Sequence, residues 1–158
     1  MENLEELKKK YEELGKEIER LEKEKKNKRW RAEYNKDYYF INNVLDIDGS
    51  TEDNCLIDDK RHKLMNYFAT REEAQKVANK IKTYIELKQL AEELNGDEEI
   101  DWKDGTQGKY HIYYCQKEEF YTERNTINNN FGVYCLDANF KDKALEQIGE
   151  ERLKELFE

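Results

Sequence analysis

The sequence has no proline, only two histidines and only three cysteines. Without proline the usual marker of rigid loops and linkers is gone, so boundaries must be sought in glycine, asparagine and charge. Cys55, Cys115 and Cys135 are an odd number with no C-x-x-C pair. That argues against a disulfide framework and for reduced thiols in a cytosol. No apolar run approaches the ~18 residues of a membrane span, and charge from Glu2 onward leads us to expect no signal peptide. There is no Ser-His-Asp set, no phosphate-binding loop and no G-x-G-x-x-G. His111 and Cys115, four apart, are too few ligands for structural zinc, and His62 stands among lysines and arginines. No metal, no cofactor and no catalytic residue is therefore expected.

What is abundant is charge and aromatic bulk. Charged residues make up 41% of the 158 positions and hydrophobic ones 37%, with 11 Tyr, 6 Phe and 2 Trp to fill a thin core. The length suits one domain plus an appendage. The net charge of −9 is uneven: residues 1–29 carry +1 and the remainder −10. An acidic body discourages general nucleic-acid binding, which rests on Lys and Arg, and suits solubility or a basic partner surface.

Residues 1–29 form the appendage. Leu4, Leu7, Tyr11, Leu14, Ile18 and Leu21 are spaced as a heptad seam, a candidate oligomerisation face. Three heptads are about the minimum for an independent coiled coil, and Gly15 weakens the helix by about 1 kcal/mol relative to Ala. In a parallel pair Glu17 would face Glu22 of the other copy, whereas in an antiparallel pair Lys10 faces Glu17 twice. Antiparallel pairing is therefore favoured. The run that follows places Lys25, Lys26, Lys28, Arg29 and Arg31 around Trp30, a candidate nucleic-acid contact and equally a helix end whose cations complement the macrodipole.

The body, residues 30–158, is expected to be α+β. Thr70 with Glu73 reads as a capping box and Asn95-Gly96 as a stop, which predicts a helix between them. Ala74, Val77, Ala78, Ile81, Tyr84, Ile85, Leu87, Leu90, Ala91 and Leu94 recur every three or four residues and predict one apolar face. Residues 37–47 predict a strand or hairpin, with Asp48-Gly49-Ser50 as a turn and Cys55-Leu56-Ile57 as a short strand. Lys109–Gln116, Phe120–Thr122 and Phe131–Leu136 predict further strands, with an Asn-rich loop, 125–130, before the last. Asn139 predicts the cap of a closing helix that Gly149 interrupts. Trp, aromatic strand, strand and helix occur twice, over about 30–96 and 97–158, which predicts a duplicated strand-strand-helix domain with antiparallel sheet.

The stretch Val44-Leu45-Asp46-Ile47-Asp48-Gly49-Ser50 resembles the first motif of haloacid-dehalogenase phosphatases, where two Asp hold Mg²⁺ and one is the nucleophile. One strand before it and one helix after it do not supply the required parallel sheet, so a hairpin is expected instead. As an EF-hand the stretch fails, with Thr51 at the glycine position and Ile57 at the bidentate Glu position. Tyr38, Tyr39, Tyr110, Tyr113 and Tyr114 are candidate partner-binding residues, because tyrosine offers area and a polar tip at low entropic cost.

Trp30, Tyr38-Tyr39-Phe40-Ile41, Asn66 to Ala74, Trp102 before Lys109-Tyr110, and Ile148 to Leu153 together resemble a group of small phage and prophage proteins of low-GC Gram-positive bacteria. The likeness covers about residues 30–157, and the heptad-bearing N-terminus departs from it. The resemblance implies a non-enzymatic accessory protein that binds and inhibits a host protein, such as a CRISPR or other defence effector, in the host cytoplasm. A nucleic-acid-associated regulator using residues 23–31 and a sponge for a signalling nucleotide are the alternative readings.

Overall fold

The computed structural model describes residues 4–27, 29–115, 120–125 and 132–158, with side chains described for 6–20, 29–115, 120–122 and 132–158. Among them run α1 (Leu4–Asn27), β1 (Asp37–Ile41), β2 (Ile47–Thr51), α2 (Leu56–Lys63), α3 (Arg71–Asn95), β3 (Lys109–Tyr114), β4 (Phe120–Asn125), β5 (Tyr134–Cys135), α4 (Phe140–Gln147) and α5 (Glu150–Phe157). The architecture is α+β, with two small antiparallel sheets ordered β1-β2 and β4-β3-β5. No helix among the described residues is long and apolar enough to cross a membrane.

The long helix α3 forms where its caps predict. Thr70 Oγ1 accepts the Glu73 N–H at 3.1 Å, and the Glu73 carboxylate accepts the Ala69 N–H at 3.2 Å. The reciprocal half of the box thus serves the residue before the cap. Gly96 ends the helix with φ +58°, a left-handed value glycine takes without steric cost.

The expectation of one apolar face on α3 is corrected. At 3.6 residues per turn, buried Ala74 and Ala78 lie roughly opposite buried Leu87, Leu90 and Ala91 around the helix axis. The first pair packs with Ile47, Tyr39, Ile41 and Phe68 of the first sheet region. The second group packs with Ile112, Cys135, Phe140, Ala144, Ile148 and Leu153. One helix therefore serves two cores on opposite sides, and Val77, Ile81 and Ile85, expected inside, are exposed at 39%, 37% and 41%.

The hairpin β1-β2 turns over residues 42–46 and not at Asp48-Gly49-Ser50. Asn42 Oδ1 accepts the N–H groups of Val44 and Asp46, both at 3.0 Å, and Ile41 pairs with Ile47. Gly49 lies within β2 opposite Tyr39, and a Cβ built there would sit 3.7 Å from that ring. Phe68 bridges to the other side of Tyr39 through two backbone bonds of 3.0 and 2.9 Å.

Local expectations elsewhere are adjusted as well. Cys55-Leu56-Ile57 begins α2 and is not a strand, because Asp58 Oδ2 accepts the N–H groups of Asp53 and Cys55 at 3.0 and 3.3 Å. Asn139 stands at the N-cap of α4 without a side-chain cap bond; Asp137 Oδ1 accepts the Asn139 N–H at 2.8 Å instead. In the second sheet β3 ends at Tyr114 and β5 is confined to Tyr134–Cys135; Gln116, Phe131 and residues 126–130 of the expected loop lie outside the described residues.

Asn95 closes the second core. Its Oδ1 accepts the Leu136 N–H at 2.7 Å and the Cys135 thiol at 3.3 Å, tying the end of α3 to β5. We expect Asn95→Ala to cost about 1–3 kcal/mol by stranding a partly buried donor and Thr70→Ala about 1 kcal/mol by removing the cap. Urea midpoints at neutral pH measure both, and additive losses are expected because the sites sit at opposite ends of α3.

Candidate protein-binding site

The apolar side of α3 that the hairpin covers continues past the hairpin. Ala74 and Ala78 are sealed by β2; Val77 and Ile81, the neighbouring positions on that side, are not. They form one wall of a groove of about 390 Å³. Ile41, Asn42 and Leu45 from the hairpin end form a second wall, and Leu64, Met65, Asn66 and Phe68 from the α2–α3 connection close the third. Asn66 holds that connection in place by bonding both the N–H and the C=O of Ile41, each at 2.7 Å.

Two left-handed backbone positions line this groove. Among the described residues, four non-glycine residues have positive φ: Asn35, Leu45, Asn54 and Met65, all near +60°. At Asn35 and Asn54 the sequence uses the residue that tolerates the left-handed region. At Leu45 and Met65, both lining the groove, it uses bulky apolar residues for which that region is unfavourable. Met65 is 71% exposed and its neighbour Leu64 78% exposed; the Met65 conformation closes α2, with its N–H on the His62 carbonyl at 3.3 Å and the Asn66 N–H on the Arg61 carbonyl at 3.0 Å.

Beside the groove lies a buried polar cluster that anchors the entry segment. Arg31 grips both oxygens of Glu52 at 2.8 Å and reaches Asp59 at 2.7 Å. Tyr67 donates to Glu52 at 2.6 Å, and its ring stacks on Tyr38 with centroids 3.9 Å apart. Tyr38 donates to Asp58 at 2.6 Å and accepts from Arg61 at 2.7 Å. Arg29 donates to the His62 carbonyl, and Trp30 packs on Tyr67. Hydrogen bonds from Arg31 hold the Glu52 carboxyl below its usual range. Burial pushes the Asp58 carboxyl up, but donors led by Tyr38 Oη and the Asp53 N–H outweigh it and hold it well below. Burial, then donation to Asp58, raises the Tyr38 phenol. Each carboxylate is saturated by donors from within the fold, which suits a structural clamp. Asp53, Cys55 and Asp58 also lie close enough to share a cation. Their oxygens, however, already accept backbone N–H groups at the start of α2.

The sequence-predicted residues are dispersed. Tyr38 is fully buried, which removes it from any contact surface; the cause is its stack with Tyr67 and its bond to Asp58. Tyr39 packs against the first α3 core. Tyr110, Tyr113 and Tyr114 belong to the other sheet, where Tyr113 is exposed and stacked on Tyr121 and Tyr114 lies under Lys154. The five tyrosines do not form one patch. Leu7, Tyr11, Leu14 and Ile18 are exposed on α1, while the side chains of Leu4 and Leu21 lie outside the described residues. The side chains of Lys25 and Lys26, and Lys28 altogether, also lie outside them; Arg29 and Arg31 are engaged within the fold. Asp46 is exposed at the hairpin turn, 3.9 Å from Lys82, and Asp48 pairs across the hairpin with Phe40. That antiparallel setting lacks the parallel sheet that DxDGS phosphatase chemistry requires.

Sequence reasoning missed Leu45, Leu64 and Met65. The signal that could have found them is the breadth of apolar positions on α3, which exceeds what one face can bury. Comparison with family models, curated proteins and solved structures returns no match to this chain.

Because the Glu52 and Asp58 carboxyls titrate lower when folded than unfolded, their stabilisation is complete above the unfolded values of about 4. It is lost as pH falls through the folded values. The urea midpoint should therefore drop as pH is lowered from roughly 5 to 2. Glu52→Gln should cost about 3 kcal/mol at neutral pH, by leaving Arg31 without its buried partner, and should flatten the acid limb.

Proposed function

We propose that this protein acts by binding another protein and not by turning over a substrate. Its contact is the groove framed by Leu45, Met65 and Ile81, and the occupant is an amphipathic helix of the partner. The observation that carries this reading is the pair of strained apolar residues. A turn built only for folding would take glycine or asparagine at Leu45 and Met65, as the chain does at Asn35 and Asn54. Met65 keeps the left-handed conformation at an exposed apolar side chain and Leu45 at a half-buried one, both lining the groove, which suits a site whose gain comes on binding. The outer ridge Val77–Ile81 at helical spacing suits packing against a second helix.

On the resemblance to phage and prophage accessory proteins, the partner is a host protein such as a CRISPR or other defence effector, inhibited in the host cytoplasm. The body's charge of −10 suits a basic, nucleic-acid-handling surface around the groove. The body is further read as two related halves. Trp30 packs on Tyr67 in the first and Trp102 on Tyr134 in the second. β1 lies between β2 and Phe68, as β3 lies between β4 and β5. These matching placements support a duplicated unit.

Affinity capture from a Gram-positive host lysate tests the binding reading. Wild-type protein should retain a host protein, and both Met65→Gly and Ile81→Glu should lose it. Met65→Gly should at the same time raise stability by about 1 kcal/mol, since glycine takes φ near +60° freely. Capture undiminished by both substitutions, or no protein captured by the wild type, overturns the reading.

A further inference from the structure

We infer that α1 pairs antiparallel with α1 of a second copy, independently of the groove. Its seam is bare in the single chain: Leu7, Leu14 and Ile18 are about half exposed and Tyr11 is 81% exposed. Such a stripe on a helix otherwise covered in charge is the face a partner helix covers. The flanking charges select the partner and its direction. With Leu7 over Ile18 and Tyr11 over Leu14, Lys10 of each copy meets Glu17 of the other, so the attraction occurs twice. Glu17 bonds Arg20 on its own helix at 2.6 Å, an exposed pair that can accommodate a second cation. A Cβ added at Gly15 would meet nothing within 4 Å, so the helix is open on that side as well. Beyond α1, Arg29, Trp30 and Arg31 pack against His62, Tyr67 and Glu52. An antiparallel pair in this register sets the two Asn27 ends, and the bodies beyond them, roughly 44 Å apart along the rod.

Sedimentation velocity of the full chain over the micromolar range tests this. The wild type should be a reversible dimer. Leu14→Glu should give a monomer whose body unfolds at the unchanged urea midpoint. Lys10→Glu and Glu17→Lys should each weaken the dimer, and the double exchange should restore it; Gly15→Ala should tighten it. A monomeric wild type, or a dimer indifferent to Leu14→Glu, overturns the proposal. A dimer lost in Met65→Glu would place α1 in the groove instead, and failure of the double exchange to restore association would refute the antiparallel register. None of these outcomes touches capture of a host protein by the groove, so the two readings fail separately.

Discussion

Helix α3 has to satisfy two cores at once. Its first turns present Ala74 and Ala78 to one side, where small side chains let the hairpin approach closely. Its last turns present Leu87, Leu90 and Ala91 to the other side, into the larger cluster around Phe140 and Leu153. Neither cluster is large, and a chain with 37% hydrophobic residues has little more to add. A continuous helix is the device that couples them, because fraying at one end costs packing at that end and helix propagation joins the two. Arg152 braces the crossover by bonding Glu86 at 2.8 Å and reaching buried Thr83.

A separate small cluster, Ala32, Tyr38 and Tyr67 with Phe40, rests on aromatic rings and saturated charge. Tyr38 and Tyr67 stack face to face, and their hydroxyls lead into Asp58 and Glu52. Burying two carboxylates is costly unless donors surround them, and here arginine forks, phenols and backbone N–H groups do so. The cluster reaches from residue 29 to residue 67, so it ties residues 29–31, the hairpin and α2 into one body.

The groove follows from a mismatch of lengths. The hairpin strands span five residues each and cover only the first turns of α3, whereas the apolar stripe beneath continues to Ile85. The stripe does not end in polar residues there: Val77, Ile81 and Ile85 stay exposed beside Leu45 and Met65, which take positive φ where α2 and the hairpin turn close.

How much of this was legible depended on whether a feature is local. The caps of α3, the glycine stops at Gly96 and Gly149, the heptad spacing of α1 and the mixed α+β class rest on neighbours along the chain, and the sequence alone determined them. The hairpin turn was misplaced because Asp48-Gly49 carries turn chemistry, while the pairing of Gly49 with Tyr39 inside β2 depends on a cross-strand neighbour. Asp58 and Asp137 took capping roles that spacing rules assign to other residues. Above all, periodicity counts apolar positions on α3 without saying how many partners they have. Only the tertiary structure divided them between two opposite cores and left Val77, Ile81 and Ile85 in solvent, because burial depends on what reaches a face and not on what the face offers.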